Sequence, residues 1–175
     1  MHPARRFSRF LLGLALCVPE LVGAQSAGSA PGFTEAEIKA AFLLRLPQFV
    51  SWPDQREATR FCVTDASEVA TVIESMIADD PRGRALNDTQ GSTDVSQCDV
   101  IFASATSALD IAGPGSNALR VSDQPGFARS GGMVELKKRG ARMRLVVNLP
   151  ALESAGLKAS SKLLQLSEVL SEDAP

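Results

Sequence analysis

The sequence predicts a single-domain α/β sandwich whose sheet is mixed and mostly parallel, with a C-terminal β-hairpin followed by helices. Three observations support this fold class. Short apolar strands alternate with amphipathic helices through the first two thirds of the chain. Two strand-like segments then flank Gly140, which is the pattern of a hairpin. A leucine-rich stretch over 152–170 follows and has helical character.

The first 24 residues have the features of a secretory leader. Three arginines within the first nine residues precede a short apolar run over 10–18, and small residues follow at 22–24. The apolar run is too short for a permanent membrane span, so we expect cleavage after about Ala24. The 151 residues that remain are enough for one domain with its own core, and the predicted protein is exported.

Removal of the leader excludes several chemistries. It takes away His2, the only histidine, so a Ser-His-Asp triad is impossible, and the chain has no tyrosine. The remainder carries 15 basic and 19 acidic residues, a net charge of −4, whereas a general nucleic-acid binder is normally basic. No apolar stretch after the leader approaches the ~20 residues of a membrane span.

Residues 25–33, small and polar up to Gly32, predict a flexible leading segment. A helix is then predicted from Thr34, because Thr34 and Glu37 form the Thr-x-x-Glu capping box. Pro47 should kink or restart this helix. The apolar face that follows at helical spacing consists of Ile38, Ala41, Phe42, Phe49 and Trp52, with Arg45 among them, and Pro53 closes the segment.

The middle of the chain alternates strands with helices and turns. The predicted elements are a strand over 61–63, a helix from Ser67 to Ile77, a turn over 79–83, a weak strand over 85–89, a buried strand over 100–103, a short helix over 107–111, a loop over 113–115 and a strand over 119–122. This alternation favours parallel strands joined by crossover connections.

The C-terminal third predicts a β-hairpin with arms over 133–136 and 143–149. In the second arm, apolar and polar side chains alternate. Met143, Leu145 and Val147 share one face, while Arg142, Arg144 and Asn148 share the other with Val146. The helical stretch that follows contributes five leucines to the expected core, namely Leu157, Leu163, Leu164, Leu166 and Leu170.

Cys62 and Cys98 are the two cysteines that remain after leader removal. Two cysteines in an oxidising compartment most often pair, and both stand at the start of predicted strands. We therefore expect a structural disulfide between neighbouring strands, whose closed loop of about 36 residues corresponds to roughly 4 kcal/mol in the chain-entropy treatment. A catalytic or sensory pair is the alternative, although the Cys-x-x-Cys spacing is absent.

Several short segments occur in an order that resembles a known family. They are Ala40–Leu44 with Phe49–Pro53, then Phe61–Val63, Gly83–Arg84, Cys98–Phe102, Leu119–Asp123, Phe127–Ala128, Gly131–Met133, Arg144–Leu149, Ala155–Lys158 and Ser160–Leu164. This ordered set, which covers nearly all of residues 35–167, resembles the YfiR-like periplasmic proteins, the DUF4154 family.

The resemblance implies a non-enzymatic periplasmic repressor. A protein of this type binds the periplasmic sensor domain of an inner-membrane diguanylate cyclase and lowers the output of cyclic di-GMP. Its release raises cyclic di-GMP and favours biofilm growth. The resemblance also implies a homodimer and an effect of the Cys62–Cys98 redox state on repression. The family domain would cover 34–170, with a tail over 171–175. We expect no cofactor, no metal, no nucleic acid and no direct membrane insertion.

Five residues are candidates for partner or ligand binding: Trp52, Arg84, Arg142, Arg144 and Asn148. Tryptophan is favoured at binding hot spots, although packing beneath the sheet also explains Trp52. The two hairpin arginines belong to a basic cluster with Lys137, Lys138 and Arg139. Such a cluster can hold an anion, or it can simply keep a strand edge soluble. The alternative function is accordingly a small-ligand-binding module in which the basic hairpin and Asn148 grip an anion.

Catalytic patterns in the sequence are weak. The carboxylates worth testing for acid/base chemistry are Asp65, Asp79, Asp80 and Asp123. A Ser-Lys dyad of Ser160 or Ser161 with Lys162 is formally open, but serines at a helix start normally cap the helix. The glycines at 113–115 and 131–132 lack the lysine-bearing pattern of a nucleotide loop and predict turns.

Overall fold

The computed structural model describes residues 32–54, 60–64, 66–78, 98–104 and 117–171, and the backbone alone for 85–88. The strands are β1 Val50–Ser51, β2 Arg60–Thr64, β3 Ala85–Asp88, β4 Val100–Ala103, β5 Leu119–Ser122, β6 Val134–Arg139, β7 Arg142–Asn148, β8 Lys158–Ala159 and β9 Glu168–Leu170. The helices are α1 Glu35–Arg45, α2 Ser67–Ile77, α3 Leu149–Ser154 and α4 Ser161–Leu166, and a 3₁₀ turn covers Leu46–Phe49.

Seven of the described strands form one sheet in the order β3-β2-β4-β5-β6-β7-β9. All neighbouring pairs in this sheet are parallel except β6 with β7, which form the predicted hairpin. The remaining strands, β1 and β8, form a short antiparallel pair. The predicted fold class, an α/β domain with a mixed and mostly parallel sheet, is therefore confirmed.

The main core lies between one face of the sheet and the helices. Strand alternation turns Val63, Phe102 and Val121 toward this face, where α1 and α2 add Leu43 and Ile73. The opposite face is more polar. It carries the buried side chains of Cys62, Ile101, Ser122 and Glu135, with half-buried Arg120 among them.

Helix α1 begins as the sequence predicts, but it buries a different set of residues. Thr34 and Glu37 form the predicted capping box, and Pro47 lies in the 3₁₀ turn that follows the helix. The residues of this segment that lie deepest in the core are Ala40, Leu43 and Leu46. The predicted apolar face lies beside this stripe: Trp52 is buried, Ile38, Phe42 and Phe49 are half-buried, and Ala41 and Arg45 are exposed.

The stretch over 152–170 differs from the prediction of continuous helical material. Two short helices, α3 and α4, alternate with the two short strands β8 and β9. Leu157 and Leu163 are buried as expected, whereas Leu166 is 65% exposed, so its assignment to the core is wrong. The three residues of β9 add to the edge of the sheet beside β7, and a segment that short shows no alternation in sequence.

Several predictions fall outside the described residues. These are the leader over 1–24, most of the segment over 25–33, the turn over 79–83, the helix over 107–111, the loop over 113–115 and the residues Asp65, Asp79, Asp80 and Arg84. In the part of the chain that is described, no helix is long and apolar enough to cross a membrane.

Candidate functional site

Cys62 and Cys98 form a disulfide, as the sequence predicts. Their Cα atoms are 5.9 Å apart, and the bridge links β2 to the residues immediately before β4, its neighbour in the sheet. Both cysteines are at most 3% exposed and pack with Ile101 and Ala118 in a small apolar cluster. The bridge thus lies inside the domain, on the sheet face opposite the main core.

Trp52 lies in the main core and is 4% exposed. Its indole Nε1 donates a hydrogen bond to the carbonyl oxygen of Asn117 at 2.9 Å. This hydrogen bond satisfies the polar atom that burial would otherwise leave unpaired. In the isolated chain, Trp52 therefore packs against the core rather than presenting an open surface.

Asn148 uses both ends of its side-chain amide within the fold. Its Oδ1 accepts a hydrogen bond from the N–H of Ala151 at 3.0 Å and caps α3. Its Nδ2 donates to the carbonyl oxygen of Ala128 at 2.8 Å. The amide thereby fixes the loop before β6 to the start of α3, at the opposite end of β7 from Arg142.

The basic cluster of the hairpin divides into paired and unpaired cations. Lys137 lies 3.5 Å from a carboxylate oxygen of Glu168, and Lys138 pairs with Glu35 on α1. Three exposed arginines, Arg139, Arg142 and Arg144, form no ion pair within the described residues. The structure therefore does not bring the candidates into one cluster, because Trp52 is buried and Asn148 lies far along β7 from the hairpin turn.

Asp123 is the candidate carboxylate that falls within the described residues, and it is part of an ion-pair network. Its Oδ2 lies 2.6 Å from the Nζ of Lys39, and its two oxygens accept hydrogen bonds from Ser104 Oγ at 3.1 and 3.2 Å. Burial is the largest single effect on Lys39 and would lower its pKa, but the hydrogen bonds to Asp123 and Glu35 and the negative charges of these two carboxylates together raise it. This arrangement holds Lys39 in its charged form and fixes α1 to the end of β5.

The contacts of the described residues do not support the Ser-Lys dyad or a metal site. The Ser160 hydroxyl caps α4 by accepting a hydrogen bond from the N–H of Leu163 at 3.3 Å. Lys162 instead lies over the ring of Phe49, 5.7 Å from its centroid. No group of three or more histidine, cysteine, aspartate or glutamate side chains in this part of the chain could hold a metal ion.

The sequence did not predict an open apolar groove along α1. Two cavities meet at Phe42 and Arg45, which line both of them, and we call the combined surface the α1 groove. The cavity of about 330 Å³ lies beside α2 and is lined by Phe33, Glu37, Ile38, Ala41, Phe42, Arg45 and Met76. The cavity of about 280 Å³ lies beside β7 and α4 and is lined by Phe42, Arg45, Leu46, Phe49, Met143, Arg144, Leu145, Leu163 and Leu166.

One signal in the sequence could have revealed this groove. The segment from α1 through the 3₁₀ turn carries two apolar stripes, one through Leu43 and Leu46 and the other through Ile38, Phe42 and Phe49. A helix on the surface of a domain buries a single stripe, so a second stripe indicates a surface that is open to a partner.

Comparisons with known proteins give a family match and a structure of similar fold. The sequence profile of the YfiR/HmsC-like family, DUF4154, matches residues 36–168. A crystal structure of a conserved domain protein from Vibrio cholerae O1 biovar El Tor strain N16961 is similar with a TM-score of 0.52 and 12% sequence identity. That likeness covers 78% of this chain and 60% of the Vibrio chain. No curated protein matches the sequence.

Proposed function

The chain belongs to the YfiR/HmsC-like family, and from this premise we propose that it is a periplasmic repressor of an inner-membrane diguanylate cyclase. The observation that carries the proposal is the extent of the family match, which covers residues 36–168 and so nearly all of the described domain. In this proposal residues 1–24 are the leader, 34–170 are the regulatory domain, and the protein is not an enzyme.

Repression would work through differential affinity. A regulator that binds the inactive arrangement of a sensor domain more tightly than the active one shifts the population toward the inactive state. The α1 groove supports such a role, since it is an open apolar surface on a domain whose core is otherwise closed by α1 and α2. A homodimer is part of the same proposal, with one groove on each copy.

The Cys62–Cys98 disulfide gives the repressor a physical route to redox control. The bridge closes a separation of 36 residues and joins β2 to the residues immediately before β4, so its reduction would lower the free energy of unfolding. A less stable domain would spend a smaller fraction of time in the state that is able to dock. Reduction would then release the cyclase.

The test is the cellular level of cyclic di-GMP with and without this gene. We expect deletion to raise cyclic di-GMP several-fold. The exported chain should restore the parent level, whereas a chain that lacks residues 1–24 should not. An unchanged level on deletion would contradict cyclase repression.

The cysteine variants form a second arm of the same experiment. The chain with Cys62→Ser and Cys98→Ser should lose about 2 to 4 kcal/mol of unfolding free energy and repress less completely. Equal stability and equal repression in this variant would reject the redox part of the proposal while leaving repression itself in place.

Binding of a small anion is the second candidate function, and one observation favours it. Arg45 and Arg144 both line the apolar cavity of about 280 Å³, so this cavity combines an apolar lining with two cations, as a small amphipathic anion requires. Calorimetric titration with nucleotides and amino acids tests this candidate. A protein that acts only through protein–protein contacts should release or absorb no heat in these titrations.

A further inference from the structure

The segment from α1 through the 3₁₀ turn is apolar on two sides, and the domain covers only one of them completely. On one side, Ala40, Leu43 and Leu46 are each at most 2% exposed. The other side lines the α1 groove through Ile38, Phe42 and Phe49, which are half-buried. Burial in the core therefore explains the first side of this segment fully and the second side only in part.

Exposed apolar side chains are concentrated at this groove. Among the described residues, the exposed large hydrophobic side chains are Phe33 at 81%, Leu166 at 65% and Met76 at 42%. All three line the α1 groove, although they come from the segment before α1, from α4 and from α2. Single exposed apolar residues are common, but a group contributed by three separate elements marks an interaction surface.

The side chains around the α1 groove carry more positive than negative charge. Arg45 lines both cavities, Lys162 lies over the Phe49 ring, and Arg144 borders the groove at the edge of β7. None of these three exposed cations forms an ion pair within the described residues. The carboxylate of Glu37, which also lines the groove, is bound to Thr34 in the capping box. Glu37 keeps its negative charge in this contact, so three cations stand against one carboxylate, and the groove has a net positive charge on a chain whose net charge is −2.

We propose that the α1 groove binds an amphipathic helix of a partner protein, with apolar residues in the groove and acidic residues facing Arg45 and Lys162. This inference rests on the proposed docking role and specifies the surface and the chemistry of the partner. Charge complementarity selects an acidic helix over a basic one, because unpaired cations border an apolar floor.

The spacing of the groove residues favours a helix as the bound element. Ile38, Phe42, Arg45 and Phe49 recur every three or four residues along α1 and the 3₁₀ turn, so they form a ridge. The two cavities meet along this ridge at Phe42 and Arg45. A helix with anchors at i, i+3, i+4 and i+7 fits such a surface. The contribution of Leu166 on one side and Met76 on the other extends the apolar floor beyond this ridge.

The test uses two synthetic helical peptides of about four turns, each with leucines at i, i+3, i+4 and i+7. One peptide carries glutamate on both flanks of the leucine face, and the other carries lysine at the same positions. Fluorescence anisotropy measures binding to the folded domain at low and high salt. We expect the glutamate peptide to bind at least about tenfold more tightly, and high salt to weaken its binding.

A charge-swapped variant locates the binding surface. The chain with Arg45→Glu and Lys162→Glu should prefer the lysine peptide. The matched control, Arg139→Glu with Lys158→Glu, makes the same change of charge at exposed residues that do not line the groove, and it should keep the original preference. The variant Phe33→Ser with Leu166→Ser should weaken both peptides at least about tenfold, since it removes apolar contacts common to them. Circular dichroism establishes that each variant is folded.

Three results would overturn the proposal. The first is equal or undetectable binding of the two peptides by the unchanged protein. The second is a preference for glutamate that survives the Arg45 and Lys162 swap. The third result is that neither peptide binds, while the unchanged protein self-associates or binds anionic phosphatidylglycerol vesicles and the Arg45 and Lys162 swap abolishes that association. In that case the groove would face a second copy of the chain or a membrane.

The peptide assay and the cyclic di-GMP assay separate the two proposals. If peptide binding follows the charge swap while deletion leaves cyclic di-GMP unchanged, the groove is correctly assigned and the cyclase is the wrong partner. If deletion raises cyclic di-GMP while the unchanged chain shows no peptide preference, repression is correct and docking uses another surface.

Discussion

Gly132 shows how one residue can be fixed by a contact that no motif reveals. A Cβ atom added at this position would lie 2.3 Å from the ring of Phe127. The sequence predicts a turn at Gly131–Gly132, and the positive φ of 96° at Gly131 agrees with that prediction. Gly132 is needed for a different reason, because a residue without a side chain lets the backbone pass close to the buried ring of Phe127.

Gly132→Ala should lower the free energy of unfolding by about 1 to 3 kcal/mol, because the new methyl group overpacks against Phe127. Urea denaturation measures the difference. Gly32→Ala is the matched control, since an added Cβ there would have no atom within 4 Å. A change at Gly132 no larger than the control would show that Phe127 can move aside without cost.

At the scale of elements, local patterns predicted most of the described helices and strands, and they grouped Met143, Leu145 and Val147 on the face of β7 that lies in the core. They did not predict which side of α1 is covered. The capping box at Thr34 and the apolar run of β4 act within a few residues, so the sequence shows them directly. The buried side of α1 depends on the positions of α2 and the sheet, which no local pattern contains. For the same reason the sequence placed Leu166 in the core, and the α1 groove stayed hidden.

The two sides of α1 should respond differently to substitution. Leu43→Ala should cost about 2 to 5 kcal/mol of unfolding free energy, because Leu43 is 1% exposed in the main core. Phe33→Ser should change stability by less than about 0.5 kcal/mol, because Phe33 is 81% exposed. Urea denaturation of both variants provides the comparison. A large cost at Phe33 would mean that the isolated domain already covers this end of the groove.

At the scale of the whole molecule, a charge network joins three elements that are distant in sequence. Glu35 and Lys39 of α1 bind each other at 2.7 Å, Glu35 binds Lys138 of β6, and Lys39 binds Asp123 after β5. Glu35 and Lys39 stand four residues apart on one helix, so a local pattern in the sequence contains that pairing. The pairings with Lys138 and Asp123 need the completed sheet, and the sequence does not indicate them. By contrast, the mixed and mostly parallel order of the sheet followed from the alternation of its elements and from the hairpin.

This network predicts a loss of stability in acid. Hydrogen bonds from Lys138 and Lys39 lower the pKa of Glu35 from 4.5 to about 2. A carboxyl group with a depressed pKa in the folded state stabilises the fold above its unfolded pKa. That contribution should disappear as the pH falls from about 4.5 to about 2.

Urea midpoints measured across this pH range should fall less steeply in Glu35→Gln than in the unchanged protein. Glu74→Gln, on the exposed side of α2, is the control and should keep the original steepness. Parallel curves for the unchanged protein and Glu35→Gln would show that the network contributes nothing to the acid response.

The pairing of β1 with β8 has a consequence for the order of assembly. Val50 pairs with Ala159, and Ser51 pairs with Lys158. β1 therefore cannot pair with β8 until more than a hundred further residues have been synthesised. Contacts of such long range slow folding, because the intervening chain must first be closed into a loop. A chain that stops short of residue 158 leaves β1 without the strand that completes it.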